Sequence, residues 1–105
     1  SSEAKPKKKE DTKKVSLELF QQGLTIPQIA ARRELGVNTI AGHMAFFVSK
    51  GELEIATFLA DEKRRIIERK VAEMPGKSLK ELKTALGHDC SYGEIQLVLA
   101  HLEQQ

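Results

Sequence analysis

Apolar residues recur at helical spacing along nearly the whole chain. From Thr12, the positions Val15, Leu19 and Phe20 share one face of a first helix, and Gly23 can take the left-handed conformation that ends it, with Leu24 packed under the turn. Thr25 is followed by Pro27 and, three residues after the cap, by Gln28; this is a capping box that opens a second helix with Ile29 and Ala30 facing inward. That helix stops around Glu34-Leu35-Gly36. Asn38 is then the expected N-cap of a third helix whose Ile40, Met44, Phe47 and Val48 form one stripe, closed by Lys50-Gly51.

Beyond this point Leu53 and Ile55 alternate with Glu52 and Glu54 over a piece too short to be more than an irregular connector. A fourth helix is expected from Asp61 to Met74, with Phe58, Leu59, Ile66, Ile67, Val71 and Met74 near the core, and Pro75-Gly76 ends it. Two more capping boxes, Ser78 with Glu81 and Ser91 with Glu94, open the runs Leu79, Leu82, Leu86 and Ile95, Val98, Leu99, Leu102, with Gly87 as the cap between them. The pattern predicts an all-α fold: a single domain of five to six short helices over residues 12–105, containing a helix-turn-helix, with a second helical pair at the C-terminus. Ser78 and Ser91 repeat the 13-residue spacing of Thr25 and Asn38. This pair reads either as a second, degenerate helix-turn-helix or as plain helical packing, since the last stripe falls out of phase when the third helix is shifted by the same interval.

Composition narrows the class. The chain has 105 residues, enough for one core, with 40% hydrophobic and 30% charged side chains and no Trp. Cys90 is the only cysteine, which rules out an internal disulfide and points to an intracellular setting, cytoplasmic and nucleoid-associated. No apolar run approaches a membrane span, and the lysine-rich start lacks the centre of a signal peptide. The absence of an initiator Met suggests a fragment of something larger. Residues 1–14 hold six Lys against three acids, so the formal +2 of the chain is a basic start at +3 and a body at −1. Residues 1–11 have almost nothing apolar to repay ordering and are expected to be a disordered linker. A nearly neutral body does not suit non-specific coating of nucleic acid.

The chemistry that can be placed lies in residues 12–50. A helix braced by a short helix before it leaves one face free, and here the expected outward positions are Asn38, Thr39, Gly42, Ala45, Phe46 and Ser49, with His43 at the border. Asn38 and Thr39 can hydrogen-bond base edges or phosphates, Gly42 permits close approach, and the Thr25 and Gln28 end of the second helix offers backbone N–H groups to a phosphate. Arg32, Arg33 and Lys50 can hold the DNA backbone on either side. Phe46 and His43 complete the candidate DNA-binding set, but Phe46 also looks like a protein contact, so a docking module using the same face is the rival reading. His43, His88, Cys90 and His101 match no zinc spacing, and no nucleophile–base or phosphate-cradle motif is visible. The domain is therefore expected to be a monomer without catalytic activity, metal or cofactor. The cluster Lys63, Arg64, Arg65, Arg69, Lys70 is interleaved with acids and is expected to be a solvated face with i,i+4 pairs.

The run LFQQGLTIPQIAARRELGVNTIAGHMAFFVSKGELEI, followed by SLKELKTALGHDCSYGEIQLVLAHL, resembles the helix-turn-helix domain at the C-terminus of RecQ-type and related bacterial ATP-dependent DNA helicases, over about residues 12–103. Its most specific pieces are the GLTIPQIA start, the NTIAGH entry to the third helix, the KGELEI connector and the SYGEIQLVLAHL close. The resemblance implies an accessory DNA-binding domain behind a helicase motor, with the lysine-rich start as the tether and the parent helicase core or another protein as a further partner.

Overall fold

The structure, a computed structural model, describes residues 9–104, with side chains from Thr12 onward. It contains six α-helices and, among the described residues, no strand: α1 (Lys9–Gln21), α2 (Ile26–Arg33), α3 (Val37–Ser49), α4 (Asp61–Glu73), α5 (Leu79–Leu86) and α6 (Tyr92–Gln104). Single 3-10 turns occupy Ile55–Thr57 and Gly87–Asp89. The linker expected at residues 1–11 lies outside the described residues as far as residue 8.

Local chemistry sets most boundaries. The Thr25 hydroxyl accepts from the Gln28 N–H at 3.3 Å while the Gln28 side chain accepts from the Thr25 N–H at 2.8 Å. The same reciprocal pair occurs at Ser78/Glu81 and at Ser91/Glu94. Each satisfies two donors that a helix start otherwise leaves open. The third helix departs from expectation: it begins at Val37 with Gly36 as N-cap, and no side chain caps it. Asn38 thus sits inside the first turn. Glu34 turns the chain in the left-handed conformation at φ 58°, an uncommon choice for a residue with a Cβ.

Helix lengths repeat. The first three helices have 13, 8 and 13 residues, and so do the last three. The connection between α5 and α6 holds two residues more than the one between α2 and α3, so the N-caps Gly36 and Ser91 lie 55 apart where Thr25 and Ser78 lie 53 apart. With the interval corrected, Ile40, Met44 and Phe47 fall on Ile95, Leu99 and Leu102, while buried Val48 falls on exposed Glu103, so the two stripes coincide only in part. The longer turn accounts for the phase difference at those three positions.

The two units meet through their third helices. A Cβ built on Gly93 would lie 2.8 Å from the Ala41 Cβ, one on Gly42 is 3.5 Å from the Gln96 side chain, and one on Gly51 is 3.2 Å from that of Gln104. Residue numbers rise together on both sides of the seam, so α3 and α6 run parallel, and theirs is the largest interface in the molecule. The main core gathers Met44, Ala45 and Val48 with Ile67, Leu82, Ile95, Leu97 and Val98, and the connector dips in at Ile55 and Leu59. A smaller cluster joins Ile29, Ala30 and Ile40 beneath Leu19, Phe20 and Leu24.

Two core assignments need correction. Ile66 is 43% exposed, because α4 turns the adjacent Ile67 inward and 100° of helix separates the two. Val15 is also exposed, and Ser16 is the fully buried residue of α1. Ser16 can be buried because it is doubly hydrogen-bonded.

Candidate nucleic-acid interface

Seven residues of α3 are buried: Ile40, Ala41, His43, Met44, Ala45, Phe47 and Val48. Ile40 packs with Ile29 and Ala30 of α2 and His43 bonds Ser16 of α1, while Ala41 faces Gly93 and Ala45 lies beside Leu99 and Ala100 of α6. The expectation that Gly42, Ala45, Phe46 and Ser49 form an outward ridge is therefore overturned. Ala45 is 8% exposed, the other three are half-buried, and Gln96, Leu99, Ala100 and Glu103 of α6 lie alongside all four. A major groove cannot reach a helix face that another helix already occupies.

What α3 leaves open is its first turn. Val37, Asn38 and Thr39 are exposed, and their backbone N–H groups have no intrahelical acceptor. The positive end of the helix dipole thus faces solvent at a point where no capping oxygen neutralises it. The start of α2 differs: its box consumes the Gln28 and Thr25 N–H groups, and Pro27 has none to give. Of the two helix starts, α3 is the one able to meet an anion, although Thr25 carried that role in the sequence. Thr25 and Gln28 remain exposed, as does Arg32, which borders a shallow depression with Leu24, Gln28 and Ala31 and has no ion pair among the described residues.

Arg33 and His43 take a different part. The Arg33 guanidinium donates to the Thr12 carbonyl at 2.8 Å, to the Thr12 hydroxyl at 2.8 Å and to the Ser16 hydroxyl at 2.7 Å. A guanidinium only donates, so Ser16 accepts from Arg33, and its hydroxyl also bonds His43 Nδ1 at 2.8 Å. His43 itself is buried, at 8% exposure. Burial lowers its pKa below 6.5, and the positive charges of Arg33 and Lys13 push in the same direction. Serine and histidine within bonding distance suggest a nucleophile and its base, but Ser16 is fully buried and its oxygen is held by Arg33. The arrangement clamps α1, α2 and α3 together; it does not leave Arg33 free for a phosphate.

Near the far end of α3, the Phe46 ring lies beneath two ammonium groups, Lys13 at 4.8 Å and Lys50 at 5.3 Å from its centroid, and meets Phe47 edge-on at 5.2 Å. On α4 the expected pairing holds in part: Arg64 bonds Glu68 at 3.0 Å and Lys70 bonds Glu73 at 3.0 Å, while Lys63 reaches across to Glu94 at 3.2 Å. Arg65 and Arg69 stay exposed without a partner among the described residues. Cys90 is sealed in the core, where burial and the nearby Glu94 raise its thiol pKa, the reverse of a reactive cysteine.

A short helix bracing a longer one across a three-residue turn, behind a first helix that locks both, defines a helix-turn-helix protein. The sequence agrees: residues 12–99 match the family described as helix-turn-helix domain, and the chain belongs to it. Comparison with curated proteins and with solved structures gives no match. No helix among the described residues is long and apolar enough to cross a membrane.

Proposed function

We propose that this chain is a non-catalytic accessory domain that binds duplex DNA end-on, through the α2–α3 turn and the first turn of α3. In this reading the uncapped N–H groups of Val37, Asn38 and Thr39 and the side chain of Arg32 hold phosphates, while the Asn38 and Thr39 side chains reach base edges. The observation that carries it is the conjunction at this edge of an open helix start, two hydrogen-bonding side chains and an exposed arginine with no ion pair among the described residues. Helix-turn-helix proteins use the N-terminal residues of the third helix for base contact, so burial of its later turns is compatible with such docking. Placement behind an ATP-dependent DNA helicase rests on the resemblance of the GLTIPQIA, NTIAGH, KGELEI and SYGEIQLVLAHL pieces.

Fluorescence anisotropy with labelled duplex at ~50 and ~200 mM salt tests the reading. Arg32→Ala is expected to weaken binding and reduce the salt slope by about 1, and Asn38→Ala to relax base discrimination. Binding that ignores both changes overturns it. One observation favours protein docking at the same edge: Leu35 and Val37 on the turn are 38% and 49% exposed. A partner held there, whether the parent helicase core or another protein, would be nearly indifferent to salt and lost on Val37→Asp.

A further inference from the structure

A groove of about 440 Å³ separates α1 from the C-terminal part of α3, bordered by Lys14, Leu17, Phe46, Phe47 and Lys50. Its size lies within the range of small-molecule clefts. Lys13 and Lys50 hold their ammonium groups over the Phe46 ring, and neither has a carboxylate within ion-pair distance among the described residues. Lys14 stands at the same wall, exposed. An exposed cation over an aromatic ring is a weak contact that a better π partner displaces. The freed ammonium then needs an anion.

We propose that this groove is a second, separate contact, a single-nucleotide site for single-stranded DNA: a base stacks on Phe46, and Lys13, Lys14 and Lys50 take the flanking phosphates. An aromatic platform ringed by lysines is the arrangement that binds unpaired strands without regard to sequence, since every base has a π face. A duplex keeps its bases stacked on one another and offers nothing to the ring. Glu18 and Glu52 also border the groove. They repel a phosphodiester laid along it, so the site receives a base, and the backbone stays at the lysine rim. In sequence, Lys5, Lys7, Lys8 and Lys9 come shortly before Lys13 and Lys14. The site lies near the end of α3 opposite to the uncapped turn, so it does not depend on the duplex reading.

The chain has no tryptophan, so Phe46→Trp places a single indole fluorophore in the groove. Its emission is expected to be quenched on titration with a single-stranded oligonucleotide of about 15 nucleotides. Phe46→Leu, which keeps most of the apolar bulk, should lower single-strand affinity roughly 5- to 100-fold with little change in melting temperature or duplex binding. Lys13→Gln with Lys50→Gln should reduce the single-strand salt slope by about 1.4. Unchanged Phe46→Trp emission at saturating strand, or equal single-strand affinity of wild type and Phe46→Leu, overturns the proposal. Wild-type binding to duplex but not to single strands defeats this site and leaves the α2–α3 edge standing. Single-strand binding that survives Arg32→Ala, with no duplex binding, does the opposite.

Discussion

Gly93→Ala is the sharpest probe of the seam between α3 and α6. The added methyl would lie 2.8 Å from the Ala41 Cβ, whereas carbon atoms pack at about 3.5–4.0 Å, so the helices must part by about 1 Å. The entry to α6 has little freedom to tilt, being fixed by the Ser91 box and by the Lys63–Glu94 pair. Overpacking of this kind costs about 1–3 kcal/mol, while replacing glycine within a helix returns at most about 1 kcal/mol. The net expectation is a loss of about 1–2 kcal/mol, or a melting temperature lowered by roughly 5–15 °C for a domain of this size. Thermal unfolding followed by circular dichroism measures it. Ala41→Gly removes the opposing methyl, so the double variant should be more stable than the two single effects summed, by at least about 0.5 kcal/mol. A Gly93→Ala protein that melts at or above wild type, or strict additivity in the cycle, would refute the parallel packing and reopen the Ala45 face of α3 to a groove.

Other expectations separate structural from contacting residues. Arg33→Ala should destabilise the domain by about 1–3 kcal/mol in urea titrations, because three hydrogen bonds vanish and Ser16 is left under-satisfied in the interior, whereas Arg32→Ala should leave stability within about 0.5 kcal/mol. His43 has a pKa lower in the folded than in the unfolded state, so the unfolded chain binds the proton more readily. Its contribution is intact above pH 6.5 and is lost as pH falls from 6.5 towards the folded value. The urea midpoint of wild type should drop more between pH 7.5 and 5 than that of His43→Gln; equal drops would contradict the assignment. Cys90 should react with a thiol reagent only as fast as the domain opens, and modification at the rate of a free cysteine under native conditions would show the core packing to be wrong.

Much of the local structure was legible in the chain. The boxes at Thr25, Ser78 and Ser91 announce helix starts because donor and acceptor sit three residues apart, close enough to bond without help from the rest of the fold. Asn38 misled because it is a good cap by type, yet Gly36 already has the extended conformation that a cap requires. The paired roles given to Arg32 and Arg33 were equally unreadable: 100° of helix sends one into solvent and the other onto Thr12 and Ser16. No sequence signal marks the second choice, since its partners lie 17 and 21 residues away.

Most helix boundaries, though not the start of α1 or α3, and the amphipathic pattern follow from interactions spanning four residues or fewer, and were readable in the chain. Which side of α3 remains open was settled by long-range packing. Ala41, Gly42 and Ala45 are small and weakly polar, a composition that serves exposure to DNA and close helix packing equally well. The decision fell to α6, whose Gly93 removes the one side chain that would have held the two helices apart.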